Sequence, residues 1–333
     1  MKNTLGNCLR TGKGVDVPAT GLPPEENRVV RIKKLRFAVS AGVALVVSAA
    51  FASSALAVWG MHGHTISGRA AATRLPTQMP LFFREATAQL AYLNPEPDRW
   101  RADTLRAMDE AFKYDHYIDW EVVPDSAINA RDRWGYLAVL RRTGLERPER
   151  EAGLLFFRIL ELHQRLTTEF RLWRTTTDPQ QRRWIQERII NDAGILGHYV
   201  TDGANPHHTS VHHNGWAKGY PNPNNYTTDN TFHRRFESDY VGARVPLQEI
   251  LPRINAAPRH LRDTRTEVLN YLRQSHSQLD RLYQLDQRNA FNQQTTAPEN
   301  KAFAVERLAA GANMLRDLWW SAWLNSVPPQ QAQ

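Results

Sequence analysis

Cysteine is almost absent from this chain of 333 residues, in which Cys8 is the only one. A lone thiol cannot form an intramolecular disulfide, so no cross-link of this kind holds the fold. Cys8 also lies near the beginning of the chain, so the chain beyond it has no thiolate for catalysis or metal binding. Any metal ion must therefore be held by histidine, aspartate or glutamate side chains.

Two patterns that mark other classes of protein are missing as well. No run of strand length alternates apolar and polar residues, which argues against a β-sheet protein. The motif G-x-S-x-G, which presents the nucleophilic serine of α/β-hydrolases, is also absent. Two common kinds of protein nucleophile, the serine of this motif and a cysteine beyond Cys8, are therefore absent from the sequence.

Positive charge is in excess only at the beginning of the chain. The formal net charge is +8, but residues 1–57 hold eight basic and three acidic side chains, which leaves +3 for the rest. A mildly positive body gives no electrostatic argument for nucleic-acid binding, which usually shows a clustered basic face. The hydrophobic content of 41% is ample for a buried core, so we expect a folded domain.

The beginning of the chain has the three parts of a secretory signal peptide. Residues 28–34 are basic, residues 35–51 are apolar, and Ala55-Leu56-Ala57 supplies small residues for cleavage. We therefore predict a leader over residues 1–57, cleavage near Ala57, and a secreted or periplasmic protein; an uncleaved membrane anchor is the alternative. Residues 1–27 are unlike a signal peptide, so the pattern also fits a start of translation near Val29 or Val30.

Beyond the leader, apolar residues recur at helical spacing and predict one all-α domain over residues 58–333. One helix is expected to begin at Asp178-Pro179 and to run to His198, because aspartate followed by proline is a common helix start. The other expected helices cover residues 151–173, about 257–285 and 298–325. Residues 203–231 form a long loop rich in Asn, Pro, Gly and His, which is either functional or surface filler.

Five side chains around this loop have the spacing of metal ligands. His198 and Asp202 lie four residues apart at the end of a predicted helix, and His208 follows after a helix-breaking proline. His233 and Glu237 repeat the four-residue step beyond the loop. A single such pair is usually a surface interaction, but two pairs with a further histidine indicate zinc. Three other histidines fit ordinary core or surface positions on helices: His163, His260 and His276.

These residues resemble the motifs of a known superfamily over nearly the whole exported chain. Residues 59–64, WGMHGH, are similar to a W-G-x-x-G-H start, and residues 198–237 match H-x3-D-x5-H followed by H-x3-E. The chain thus resembles the superfamily of bacterial zinc-dependent phospholipases C and of the single-strand-specific nucleases of fungi and plants. The resemblance implies an all-α, single-domain multi-helix bundle with long active-site loops and three zinc ions.

The ligands of the three ions follow from the same resemblance. His116, in the segment HYID, is similar to the second histidine segment of the family, and Asp98 resembles its partner aspartate, with Asp103 as the alternative. The resemblance also implies that Asp98 orients or deprotonates the attacking water. The implied ligand sets are Asp98, His116, His198 and Asp202 for one zinc; Trp59, His64 and a bridging Asp202 for the second; and His208, His233 and Glu237 for the third.

Trp59 is where the chain departs from the family. The family binds zinc through the free amine of this tryptophan, whereas cleavage after Ala57 would leave Val58 in front of it. Cleavage after Val58, a second trimming step, or a different mode of metal binding are the alternatives.

The resemblance implies an exported trinuclear zinc phosphodiesterase, most simply a nuclease acting on single-stranded nucleic acid or 3′-nucleotides through a metal-activated water. A phospholipase C acting on phospholipid head groups is the alternative, since Glu237 and Asn205-Pro206 are similar to that branch. A non-catalytic, zinc-braced binding protein is a second alternative. We expect a monomer without a stable protein partner.

Further side chains could contact the substrate. Trp216, Tyr220 and Tyr226 in the long loop would stack on bases, meet lipid, or simply pack the loop. Four histidines without a matching ligand position are interpreted as supporting or substrate-contacting residues, with surface histidine as the alternative: His62, His207, His212 and His213.

Overall fold

The computed structural model describes residues 60–328, with the exception of the side chain of Asp103. The predicted signal peptide, its cleavage site and Trp59 lie outside the described residues. None of the helices in the described part is both long enough and apolar enough to cross a membrane.

The described chain is all-α, as predicted. Its strand content is one isolated antiparallel bridge between Ile118 and Gly153. The α-helices in chain order are α1 Gly60–Ala72, α2 Leu81–Glu85, α3 Thr87–Leu93, α4 Glu96–Arg99, α5 Arg106–Phe112, α6 Asp125–Ile128, α7 Arg133–Arg142, α8 Pro148–Ala152, α9 Leu155–Thr175, α10 Pro179–Asp202, α11 Phe232–Arg234, α12 Val241–Arg244, α13 Leu247–Ile250, α14 Thr264–His276, α15 Leu279–Arg288 and α16 Pro298–Asn325. Short 3-10 helices cover Asp103–Leu105, Lys113–His116, Trp120–Val122, Pro206–Thr209 and Leu251–Arg253, and a π-helix covers Arg235–Tyr240.

Helix α10 is the central element of the bundle. It packs against α1, α9 and α16, and α16 also contacts α1 and α9. The Asp178 side chain accepts a hydrogen bond from the backbone N–H of Gln181, and Pro179 occupies the first turn, so the helix begins where the sequence predicts. Every residue from Asp192 to Asp202 is buried, which removes the end of this helix from bulk water.

Three of the four predicted helices are found in the structure. Helices α9, α10 and α16 match the expected segments closely. The expected helix over residues 257–285 is wrong in part, because Pro258 precedes a non-helical stretch and Asp263 caps a later start by accepting from the N–H of Thr266. The chain then turns at residues 277–278, so that two helices, α14 and α15, replace one.

The long loop is also found as predicted. Apart from the turn Pro206–Thr209, residues 203–231 contain no helix or strand in the structure. The loop ends at a continuous helical stretch, in which α11, the π-helix and α12 follow one another without a break. A π-helical turn inside an α-helix often occurs at a functional position. Here it contains Glu237.

Candidate metal centre

Eight of the nine predicted ligands lie in the described residues, and the structure brings all eight together. They come from six separate segments of the chain. The ligand atoms form three groups, within each of which all atoms lie within 4.8 Å of one another. These groups are His64, His198 and Asp202; Asp98, His116 and His198; and His208, His233 and Glu237.

Asp202 belongs to the first group and also contacts two histidines of the second. Its Oδ1 is 3.3 Å from His64 Nε2, and its Oδ2 is 3.2 Å from His198 Nε2 and 3.0 Å from His116 Nδ1. The carboxylate is fully buried at the end of α10. Since each oxygen faces different imidazoles, one Asp202 side chain can contact two cations at once.

Asp98 completes the second group from helix α4. Its Oδ1 lies 3.6 Å from His198 Nε2, and its Oδ2 lies 3.9 Å from His64 Nε2. Oδ1 is buried and has no hydrogen-bond partner among the described residues. Asp98 thus lies beside the histidines with an oxygen free for a ligand, whereas the side chain of the alternative, Asp103, lies outside those that the structure describes.

The third group adjoins the first two. His208 Nε2 lies 3.1 Å from His233 Nε2 and 3.4 Å from Glu237 Oε2, and His233 Nε2 lies 2.9 Å from the same carboxylate oxygen. His208 Nε2 is also 3.7 Å from Asp202 Oδ1. The three groups therefore share one compact volume between α1, α10 and the helical stretch that contains His233.

Backbone and amide groups orient three of the imidazoles. His64 Nδ1 pairs with Asn94 Oδ1 at 3.0 Å, and His198 Nδ1 pairs with the Asn94 carbonyl at 3.0 Å. His208 Nδ1 pairs with the His116 carbonyl at 2.7 Å. Because these oxygens accept a hydrogen bond from Nδ1–H, Nε2 of each ring faces the group and offers its lone pair when the ring is neutral. This is the usual arrangement of histidine ligands of metals.

Sequence reasoning missed Asn94. It is fully buried and holds two of the histidines, and its close approach depends on Gly197, where a Cβ would lie 2.4 Å from Asn94 Nδ2. The only signal in the sequence is a glycine one residue before His198, within a helix, where glycine is otherwise unfavourable.

The charges in the centre also favour a cation. Burial raises the pKa of Asp98 to about 7, although the neighbouring His64 opposes the shift. Burial also raises the pKa of the Asp202 carboxyl, but His208 and His198 outweigh it and hold that pKa well below its usual range. The same balance lowers the pKa of Glu237 to about 2, because His233 and His208 face it. Buried carboxylates with converging imidazole nitrogens can hold metal ions, and this set without sulfur fits zinc.

Metal binding at this centre is expected to release protons. Burial lowers the pKa of His208, but Asp202 and Glu237 outweigh it and raise that pKa to about 9, while the pKa of Asp98 is about 7. Both groups must lose a proton to bind a cation, so affinity should fall as pH falls, at His208 below pH 9 and at Asp98 also below pH 7. We expect about a tenfold loss of zinc affinity per pH unit for each proton displaced.

Isothermal titration of zinc into the metal-free protein, in buffers of different ionisation enthalpy, measures this release. A zinc affinity that is the same at pH 6 and pH 8 would contradict it.

The His116 segment is held in place by a close backbone approach. Backbone hydrogen bonds join residues 114–119 to residues 152–155. In one of them, Leu155 N–H donates to the Tyr117 carbonyl at 3.0 Å. At Gly153 the backbone has φ +73°, and a Cβ there would lie 2.1 Å from the Tyr117 carbonyl oxygen. Only glycine permits this contact.

Gly153→Ala is therefore expected to lower the free energy of unfolding by about 3 kcal/mol and to displace His116. Gly144→Ala is the matched control, because Gly144 has φ +100° but nothing within 4 Å of its Cβ position. The control should lose only about 1 kcal/mol from backbone strain. Urea denaturation of both variants gives the two values, and equal losses would show that the Tyr117 contact is unimportant.

A cleft of about 490 Å³ opens onto the third group and onto His116. Four basic side chains, Arg101, Lys113, Arg150 and Arg234, lie along it. Asp119 also lines it; burial and the nearby Glu121 raise the pKa of this carboxyl to about 8. Sequence reasoning assigned no role to Asp119 or to these basic residues, since they are scattered along the chain and meet only in the fold.

The four unassigned histidines have different environments. His207 and His213 line the cleft, and both ring nitrogens of His207 are buried without a partner among the described residues. His62 is exposed and contacts the Val245 carbonyl at 3.0 Å. His212 stacks on Trp216 with ring centroids 3.9 Å apart. Only His207 and His213 are placed to meet a substrate in the cleft.

The aromatic residues of the long loop also differ in whether they line a hollow or pack the loop. Trp216 and Tyr220 line a neighbouring hollow of about 530 Å³, which shares Asn214 with the main cleft. Tyr226 is buried and its hydroxyl hydrogen-bonds to Asp280, so it packs the loop.

His163, His260 and His276 lie outside the three groups.

The chain matches no protein-family model, no curated protein and no solved structure. Its function is therefore inferred from the geometry of this site.

Proposed function

We propose that this protein is an exported zinc-dependent phosphodiesterase that holds three zinc ions and cleaves single-stranded nucleic acid or 3′-nucleotides. The proposal is supported by one observation above all: eight buried or half-buried imidazoles and carboxylates converge beside a cleft with a basic rim. Bound zinc supplies a Lewis acid that lowers the pKa of water and neutralises the charge on a phosphate.

The chain's own residues supply the remaining functions. Asp98 would orient the attacking water, or accept its proton, at its buried Oδ1, which has no hydrogen-bond partner among the described residues. The side chains of Arg101 and Arg234 line the cleft and can neutralise the phosphate of the substrate. Asn94 keeps His64 and His198 in the orientation that binds metal, and it would act only through those rings.

The basic lining favours nucleic acid over a phospholipid. Four cationic residues line the cleft, whereas Asp119 is the one carboxylate among its lining residues. Such a charge balance attracts a polyanion more strongly than a zwitterionic head group. The adjacent hollow beside Trp216 and Tyr220 could take a base by stacking. Phospholipase C stays the second candidate, because exposed Tyr220 could equally contact lipid.

A purely structural role for zinc is less well supported. Structural zinc sites are usually closed by four protein ligands. The third group offers the side chains of His208, His233 and Glu237, and two of these, His208 and His233, line the cleft. A cation there would keep a position open toward the substrate, which favours catalysis.

Metal analysis after dialysis, followed by parallel assays, tests the proposal. The purified protein would be given single-stranded DNA, RNA, a 3′-nucleotide and phosphatidylcholine under the same conditions. We expect stoichiometric zinc and hydrolysis of the nucleic acids or the nucleotide. Hydrolysis of the lipid alone would overturn the choice of substrate, and absence of zinc would overturn the proposal altogether.

We also propose that Trp59 contributes its amino group to the second zinc site after export. This requires removal of Val58, so the mass of the N-terminus of the exported protein decides it. A chain that begins at Val58 would exclude binding through this amine.

A further inference from the structure

The main cleft continues into a second hollow. This hollow has a volume of about 290 Å³ and shares Arg101, Lys113, Tyr117 and Arg150 with the main cleft. Arg147 lines only the second hollow. We call this hollow the basic branch.

Positive charge dominates the basic branch. Four cationic side chains line it, and Glu110 is the only carboxylate among the lining residues. Lys113 is already paired with Glu110 and with Asp109, and Arg147 pairs with Glu149 at 3.8 Å and donates to the hydroxyl of Tyr114 at 3.2 Å. A cation without an acidic partner, beside a site for a phosphate, can bind a further negative charge.

Among the cations of the basic branch, Arg101 and Arg150 have no side-chain hydrogen bond or ion pair within residues 60–328. Arg101 is assigned above to the phosphate at the metal centre, which leaves Arg150 free to bind a second one. Its guanidinium has no hydrogen bond or ion pair with any residue in the described range 60–328, although other arginines nearby do. The side chain is exposed and borders both the main cleft and the basic branch. A guanidinium binds two phosphate oxygens in parallel, so Arg150 could hold a phosphate without breaking an existing contact.

The backbone fixes Arg150 relative to the metal ligands. The hydroxyl of Tyr117, one residue after His116, donates to the Arg150 carbonyl at 2.6 Å. The N–H of Asp119 donates to the Ala152 carbonyl at 2.9 Å. Helix α8, which contains Arg150, is thus attached on both sides to the segment that contains His116. The basic branch therefore has a defined position relative to the centre where the bond would be cleaved.

We propose that the basic branch binds a second phosphate group of the substrate, next to the phosphate at the metal centre. The substrate is then an oligonucleotide with at least two phosphates rather than a molecule with one. This inference rests on the proposed function, since it assumes that the first phosphate is bound at the metals. It adds a residue, Arg150, that selects for substrate length.

Two substrates that differ in phosphate number test the proposal with the zinc-loaded protein. One is a single-stranded thymidine hexanucleotide, and the other is a dinucleoside monophosphate with a single phosphate. In Arg150→Gln, KM for the hexanucleotide should rise about tenfold, because a charge-assisted hydrogen bond to phosphate is lost. KM for the monophosphate should not change, and kcat should be retained for both substrates.

Arg183→Gln is the matched control. Arg183 is exposed on α10, contacts Gln180 and does not line the cleft, so the variant has the same change in net charge. It should leave both KM values unchanged. In Arg150→Gln, but not in Arg183→Gln, KM for the hexanucleotide should also depend less steeply on salt concentration. The slope should fall by the amount expected for the loss of about one phosphate contact. Equal effects of Arg150→Gln on both substrates, or no effect on either, would overturn the proposal.

Fluorescence anisotropy separates this inference from the proposed function. If neither substrate is hydrolysed, the proposed function fails, and binding of a labelled hexanucleotide still reports on the basic branch. Weaker binding to Arg150→Gln than to Arg183→Gln would then support the branch as a phosphate site. If Arg150→Gln instead lowers hydrolysis of phosphatidylglycerol vesicles and not of the hexanucleotide, the branch serves an anionic lipid and the proposal is wrong.

Discussion

Asp202→Asn is expected to abolish turnover, with kcat reduced by about a thousandfold or more. Asp202 is fully buried, and its two oxygens lie 3.0 to 3.3 Å from nitrogens of His64, His116 and His198. An amide presents one oxygen and one NH2 group, so it cannot offer an acceptor in both directions. The proposed bridge between two zinc ions would be broken.

Zinc content should change in the same variant. The proposed three ions should fall toward one, because His208, His233 and Glu237 form a separate group that does not require Asp202 as a ligand. Metal analysis after gel filtration gives the stoichiometry, and single-stranded DNA hydrolysis gives the rate. Full activity with full zinc content would refute the assignment of Asp202 as a bridging ligand.

Asp192→Asn is the matched control for this experiment. Asp192 is also a buried aspartate of α10, but it pairs with Arg165 and lies beside Glu169. Burial and the neighbouring Asp192 raise the pKa of Glu169 to about 7, so removing the Asp192 charge relieves a repulsion. This control should keep its zinc and its activity. A loss in both variants would point to damage of α10 in general.

Local rules were sufficient for three of the four predicted helices, α9, α10 and α16, and for the ligands closest together in sequence. His198 and Asp202 were predicted as a pair because a four-residue step places side chains on one face of a helix, and α10 is found there. The division of residues 257–285 into α14 and α15 was missed, because apolar spacing continues across the turn that separates them. Periodicity alone does not locate such a break.

The supporting residues could not be predicted, since they act through tertiary contacts. Asn94 lies about a hundred positions before His198 in the sequence and meets it only where α3 ends against Gly197. The basic lining of the cleft has the same origin, with Arg101 and Arg150 on opposite sides of the His116 segment in the sequence. Composition indicated no basic face, because a few cations that gather in one cleft hardly change the net charge.

Removal of zinc by a chelator is expected to destabilise the protein strongly as well as to abolish activity. His64, His198, Asp202 and Glu237 are all fully buried, and their mutual contacts bring nitrogen lone pairs and carboxylate oxygens together. When the free ion concentration is a hundred times the Kd, one bound ion stabilises the native state by about 2.7 kcal/mol. Three ions therefore contribute about 8 kcal/mol. For a domain of this size the melting temperature should fall by about 15–25 °C.

Differential scanning calorimetry with and without the chelator measures the shift, and Asp202→Asn supplies an internal check. Since that variant should bind one ion instead of three, its shift on chelation should be about a third of the wild-type shift. Added zinc should restore the melting temperature, whereas magnesium should not, because imidazole-rich sites bind magnesium poorly. If chelation leaves the melting temperature of the wild-type protein unchanged, the buried carboxylates and imidazoles are stable without a cation, and these groups are not a metal centre.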